Sequence, residues 1–544
     1  MSTRLPPKDY DVKIKFGGGL HTRAPEDEIN EREAADGYNF LLDAENSDLR
    51  PRSAYDLLDT APNAGSINGG GSYRKADGTV VAWIQAGDTV YEYDSNGFVT
   101  SPTLDTVNSS AKLRGHWRSH TWDLDDKMLI SDLALLEPVK EWDGTTWADV
   151  SFLSNPSTSF PNSFYAKYIS VSDERVFYSC IKDGATTYGH MMIGSERSDY
   201  ATISVDDRPS SSLGDADPFF LLTPDLRSIN GFVEAFGTRV ISTEKGRIFE
   251  LTGDSAQDFA IKEFFAGSAA AGEESLAYIG TDILYGRQGR IESLRDTDTF
   301  GDTASDDISR DIKDLIESYT NWTTVYNSRL NRVYLFPSGG SEVYVYDTAL
   351  RGATESQGGR PISPWMKWTT THGLAFQPTW VGSMLDPADG LEYVFMGDSS
   401  GRLYRLEGTG TSGDAGSVTN QTVFLSKLFS LPLDAKTYEV DGYIKYRKSG
   451  TEYDIAIRME YSGEQISDEP IVVTVPATTA WAYYGGGEYY GNSAYYGSAY
   501  IGRLARQKIQ LPGGDSNEFQ IRVTVTSNAD FDINEIGLKF RGAG

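Results

Sequence analysis

The feature that most constrains this chain is a β-hairpin that recurs along roughly 330 residues. Its clearest copy runs through Val333-Tyr334-Leu335-Phe336, turns at Pro337-Ser338-Gly339-Gly340 and returns along Val343-Tyr344-Val345-Tyr346 to Asp347. β-Branched and aromatic residues suit extended backbone, and the glycine pair suits a tight turn. Both faces of both strands are apolar. A strand with one face in water would alternate with polar residues, so this pair requires neighbours packed on either side.

Related pairs begin near residues 80, 128, 176, 240, 282, 332 and 393. Val80 to Ile84 is followed by Thr89 to Tyr93, Val240 to Thr243 by Ile248 to Leu251, and Tyr393 to Met396 by Leu403 to Leu406. A spacing of roughly 40 to 60 residues with one hairpin per unit predicts a β-propeller, whose blades are four-stranded sheets set radially around an axis. A large β-sandwich with similar hairpins is the competing architecture. The repeats diverge and lack Trp-Asp or kelch signatures, which leaves the blade number open.

The expected fold is all-β: a β-propeller-like domain, a second antiparallel β-sandwich domain and one short inserted helix. Residues 1–64 read as an extended N-terminal segment that could pack with the C-terminal domain, 65–408 as the propeller, and 409–544 as a sandwich serving as a platform or docking domain. Ala64 to Ser72, rich in Gly, Ser and Asn, reads as a linker or wide turn. Thr409 to Gly416 marks the second boundary, because its small residues carry no apolar pattern. Beyond it, Tyr438 to Tyr446, Tyr453 to Tyr461 and Phe519 to Val525 alternate as half-buried strands do. The helix is expected over Thr303 to Tyr319, where Ile308, Ile312, Leu315, Ile316 and Tyr319 make one apolar face for covering a rim of the propeller. A switch or partner-binding helix is the alternative.

Charge narrows the function. A formal net charge of −29 opposes ordinary binding to nucleic-acid phosphates, which needs Lys and Arg to displace counterions. Acidic excess also keeps a large surface soluble, whatever the function. Cys180 is the only cysteine, which excludes an intrachain disulfide and a multi-thiolate metal site. The first 19 residues hold no apolar core of a signal peptide, and no stretch approaches the ~18 apolar residues of a membrane span, so no export signal or membrane anchor is expected. No GxSxG, HExxH or EF-hand motif occurs. His116 and His120 share a four-residue spacing, but the neighbouring Trp117 and Trp122 point to strand or loop, where that offset does not aim both rings at one ion. The clusters Asp123, Asp125, Asp126 and Asp206, Asp207 read as solvated turns. No catalytic residue, cofactor or metal is expected from these motifs, but the propeller alone does not decide, because the same architecture carries enzymes, lectins and scaffolds; the expectation that the chain is not an enzyme rests on the resemblance given below.

Two segments stand apart. In Trp481 to Tyr500 the triplet Tyr-Tyr-Gly recurs every six residues, an even period that places Trp481, Tyr484, Tyr490 and Tyr496 among candidate contact residues for a neighbouring subunit or other partner. Stacking on sugars, or packing inside the chain, are the other readings. The second segment opens the chain: Phe16, Gly17 to Gly19, Leu20, Thr22, Ile29, Glu33, Ala34, Asn39, Leu49, Arg50 and Arg52. A strand ending in glycines, a small polar pair, an acidic segment, an Asn before apolar residues and Leu-Arg-Pro-Arg together resemble the opening of tail tubular proteins, or tail nozzle proteins, of short-tailed bacteriophages. His21 departs from the small polar residue expected at its place, and the chain is shorter than many such proteins.

The resemblance implies a structural virion protein of the phage tail, assembled in the host cytoplasm: a homo-oligomeric ring, hexameric in that family, docked to a tail adaptor or connector and bordered by fibres or spikes. Phe16, Gly17, Gly18, Asn39, Arg50 and Arg52 become a candidate adaptor-docking motif. Double-stranded DNA would pass without specific binding, repelled by carboxylates over a Debye length of roughly 8–10 Å. The rival readings are a carbohydrate- or receptor-binding propeller and a propeller glycosidase or lyase.

Overall fold

The computed structural model describes residues 9–542 apart from segments of which the longest are 117–126, 155–163, 205–212, 351–361, 408–420, 462–469 and 476–503. Each hairpin of the repeat is the middle of an antiparallel blade; five blades are separate four-stranded sheets, and the first two are joined into one nine-stranded sheet by a parallel pairing of Arg114 with Gly70. In the clearest blade, Trp322–Asn327, Arg332–Pro337, Glu342–Asp347 and Trp365–Thr369 lie in that order. Both middle strands are buried from their second residue to their last, as residues apolar on both faces must be.

Seven such blades are present among the described residues. Their innermost strands are Ile67–Arg74, Leu113–His116, Tyr165–Val171, Ile229–Ala235, Leu276–Tyr278, Trp322–Asn327 and Trp380–Leu385. Each packs against the next, and the seventh packs against the first, which closes a propeller. Closure is also covalent in logic: the seventh blade takes three strands from residues 380–405 and its outermost strand, Asp56–Thr60, from near the N-terminus. An extended N-terminal segment over 1–64 is thus only part of the picture, since residues 56–60 belong to the propeller.

Two expectations need correction. The glycine-rich run before residue 73 is the innermost strand of the first blade, Ile67–Arg74, with no linker character. Its glycines are there for space: a Cβ on Gly70 would lie 2.6 Å from the Trp380 ring, and one on Gly71 3.1 Å from the Gly115 backbone. Likewise, the helix is much shorter than Thr303 to Tyr319. Asp302–Asp307 pairs with Arg290–Thr297 as the outer strand of the fifth blade, leaving a 3-10 turn at Arg310–Ile312 and one α-turn at Lys313–Ile316. Ile312 and Ile316 remain buried, so the apolar face is present on a much shorter helix.

The sandwich has a four-stranded sheet, ordered Asp9–Lys15, Asp532–Gly542, Thr437–Arg447, Leu504–Pro512. Against it lies a second sheet with Ala34–Tyr38, Gln421–Ser426, Glu518–Thr526, Tyr453–Tyr461 and Ile471–Val475 in order. Residues from the N-terminal segment therefore form an edge of each sheet. Ile14, Ile444, Ile536 and Phe540 meet Ile455, Ile457, Ile521 and Val523 between the layers, and this core runs on without a break into Tyr334, Trp365 and Trp368 of the sixth blade. Propeller and sandwich thus share one hydrophobic interior.

Candidate functional site

The N-terminal motif lies along the seam between the two domains. Phe16 is fully buried, its ring edge-on to Phe424 at 4.9 Å. The backbone N–H of Gly19 donates to Ser363 O and that of Leu20 to Trp365 O, both at 2.8 Å, so this strand end is fastened to the sixth blade. A Cβ on Gly19 would come within 2.4 Å of both carbonyl oxygens, which only glycine avoids. Gly17 has φ 104, and Gly18 N–H donates to Arg32 O at 3.1 Å.

Asn39 is the centre of the seam. Its φ of 60 is a left-handed conformation that Asn tolerates better than most residues. Its backbone N–H donates to Lys367 O at 2.9 Å in the propeller, while its Nδ2 donates to Gln421 O at 3.0 Å in the sandwich. Its Oδ1 accepts from Arg52 Nε and from Thr369 N–H, each at 2.9 Å. Arg52, 3% exposed, lies between the Tyr55 and Trp368 rings. Arg50 pairs ionically with Asp532, its Nε 2.7 Å from Oδ1, tying the segment to the last sandwich strand. The buried side chains of Phe16, Asn39 and Arg52 offer no surface to an adaptor; the motif is spent on joining the two domains, and only Arg50 is half-exposed.

His21 occupies the same seam. Its Nδ1 lies 3.0 Å from Glu33 Oε2 and its Nε2 3.8 Å from Asp311 Oδ1. Burial opposes its charged form, but the Glu33 hydrogen bond and the charges of Glu33, Asp311 and Asp314 outweigh it and raise its pKa. Burial raises the Asp311 carboxyl as well.

The propeller axis is bridged. Arg114, on the innermost strand of the second blade, reaches Glu274 beside the innermost strand of the fifth, on the opposite side of the ring, and its Nη1 also donates to Asn68 O at 2.9 Å. Such a passage cannot admit a double helix whose major groove alone is ~12 Å wide. His116, two residues on, is held by Ser131 Oγ at 2.8 Å, and burial together with the Arg114 charge pushes its pKa down to about 4. It is a half-buried, neutral histidine; its spacing partner His120 lies outside the described residues.

A concave surface of about 960 Å³ lies on the outer face of the four-stranded sandwich sheet. Strand register sets side chains in rows. Lys13, Gly537, Tyr443 and Lys508 form one; Lys15, Glu535, Lys445 and Arg506 form the next; Asp11, Lys539, Asp441 and Gln510 form the third. Gly537 leaves room for the Tyr443 ring, which a Cβ there would meet at 2.4 Å, and the Arg506 guanidinium sits 3.6 Å from that ring's centre. Glu535 accepts from Tyr443 Oη at 2.6 Å and from Lys445 Nζ at 3.0 Å. Burial works against its charge, yet these bonds and the charges of Lys445 and Lys13 hold its carboxyl below the usual range. This face was missed in the sequence. The alternation Asp11-Val12-Lys13-Ile14-Lys15 was visible, but only register brings the four strands' charges together.

Among the described residues no group of three or more His, Cys, Asp or Glu is placed to hold a metal ion, and no helix is long and apolar enough to cross a membrane. Cys180 is buried at a bulge with φ 55. Trp481, Tyr484, Tyr490 and Tyr496, and the Asp123 and Asp206 clusters, lie outside the described residues.

No family model and no curated protein matches this chain. Solved structures do: the β-propeller domain of Cps50 (Swd1) from Myceliophteria thermophila, at 10% identity, covers 65% of this chain and 100% of its own with a TM-score of 0.39. YCF48 bound to D1 peptide, at 13%, covers 65% and 97% with 0.34, and the WD40 domain of Toxoplasma gondii coronin, at 10%, covers 65% and 83% with 0.34.

Proposed function

We propose that this chain is a structural virion protein, the tail tube or nozzle subunit of a short-tailed bacteriophage, which assembles into a homo-oligomeric, hexameric ring between a tail adaptor and the fibres or spikes. The observation that carries the reading is a coincidence of residues. The segment that resembles the tail nozzle opening is the one whose Phe16, Gly19, Asn39, Arg50 and Arg52 lock sandwich and propeller into one body. A part that must transmit force and hold register gains from such a joint, and a shared interior resists relative motion of domains.

The bridged propeller axis fits this role in a specific way. DNA would run through the hole of the assembled ring, between subunits, and each propeller would be a solid wall element. The charge of −29 then supplies a wall that phosphates approach without adhering. In this reading the protein is not an enzyme. Mass spectrometry and antibody-gold imaging of purified particles test it: the chain should be stoichiometric in the tail. Its absence from particles, saccharide binding on a glycan array by the isolated chain, or reducing-end release from polysaccharide would each overturn the proposal.

A further inference from the structure

The concave face of the four-stranded sandwich sheet departs in sign from the rest of the molecule. Its rows hold Lys13, Lys15, Lys445, Lys539, Arg506 and Lys508 against Asp11, Asp441 and Glu535, and Glu535 is already matched by Lys445. Residues 65–408, by contrast, hold 49 carboxylates against 29 Lys and Arg, a net of −20 out of the chain's −29. One chain therefore presents a cationic sheet face on one domain and an acidic propeller on the other.

We infer that this sheet face is the docking surface for a second copy of the same chain, receiving a carboxylate-rich part of the neighbour's propeller. The inference rests on the ring reading above and gives it a contact. A ring needs a head-to-tail interface between two different patches, and a cationic sheet face opposite an acidic propeller supplies such a pair while disfavouring propeller-to-propeller contact. A protein occupant is favoured over nucleic acid because carboxylates stand in two of the three rows and would face phosphates directly. Tyr443, flat on Gly537 and stacked under Arg506, adds a rigid aromatic anchor of the kind interfaces use.

The test is sedimentation velocity and light scattering of the full chain across protein and salt concentration, with Lys13→Glu, Arg506→Glu and Lys508→Glu combined. These three side chains are exposed, so the variant should stay folded, its thermal unfolding only slightly below the parent's through the lost Arg506–Tyr443 stacking. A milder Lys13→Gln, Arg506→Gln, Lys508→Gln set serves if the reversal unfolds. The parent should form rings that loosen with salt, and the reversal should weaken association by about tenfold or more, the neutral set by less. A folded variant that assembles like the parent overturns the inference and leaves the ring reading standing. A parent that stays monomeric at every concentration removes both. Parent rings unaffected by the reversal, with duplex binding lost in a gel-shift assay, would assign the face to phosphate instead.

Discussion

Replacing Asn39 should separate the joint between the domains more cleanly than any other single change. Asn39→Ala removes three side-chain hydrogen bonds: from Nδ2 to Gln421 O, and to Oδ1 from Arg52 Nε and Thr369 N–H. The charged bond to Arg52 is worth roughly 1.5–3 kcal/mol, and each buried group left without a partner costs about 1 kcal/mol or more. Alanine at φ 60 adds roughly 1 kcal/mol of backbone cost. The expected loss is roughly 4–6 kcal/mol, and Asn39→Gly, which relieves the backbone alone, should recover about 1 kcal/mol of it. Urea unfolding followed by tryptophan fluorescence reads the change, since Trp368 lies beside Arg52 in the seam. A loss below about 1 kcal/mol for Asn39→Ala would refute the claim that this side chain holds the domains together.

Other perturbations probe ring closure and pH. Gly70→Ala pushes a methyl into the Trp380 ring between the first and seventh blades and should cost roughly 1–3 kcal/mol, whereas an alanine at Gly78, with φ 90 and open space, carries backbone strain alone; paired thermal melts compare them. Arg405→Ala leaves Asp386, bonded at 2.7 Å and buried, without its cation and frees Asp56 of the closing strand. It should cost roughly 3–5 kcal/mol and speed hydrogen exchange across residues 56–60. The raised pKa of His21 means that the folded chain holds this proton more tightly than the unfolded one. Its contribution is complete below the unfolded value of 6.5 and fades as pH rises through the folded value, so stability should fall over that window and His21→Gln should flatten the fall.

Much of the fold was legible because burial on both faces leaves a mark in composition. Val333-Tyr334-Leu335-Phe336 and Val343-Tyr344-Val345-Tyr346 need no tertiary information to be read as central strands, and six related hairpins occupy the same place in the other blades. Inner and outer strands are less regular. Ile67–Arg74 was hidden because close packing against Trp380 demands glycine, the residue that also marks turns. Asp302–Asp307 was absorbed into a helical pattern whose period came entirely from residues 308–319. Asp56–Thr60 was invisible as a blade strand because its partner lies about 345 residues away in the chain, at Arg402–Arg405. The seam shows the same limit. Asn39 and Arg52 stood out as motif residues, but nothing local says that they meet Thr369 and Gln421.

The central claim is that these bodies surround a hole through which a polyanion passes. Negative-stain imaging of the purified chain, at low and physiological salt, tests it most directly. The account predicts closed rings with an axial opening wide enough for duplex DNA, formed by this chain alone. A field of separate particles at every concentration, each showing only a solid propeller and binding saccharide, would contradict it.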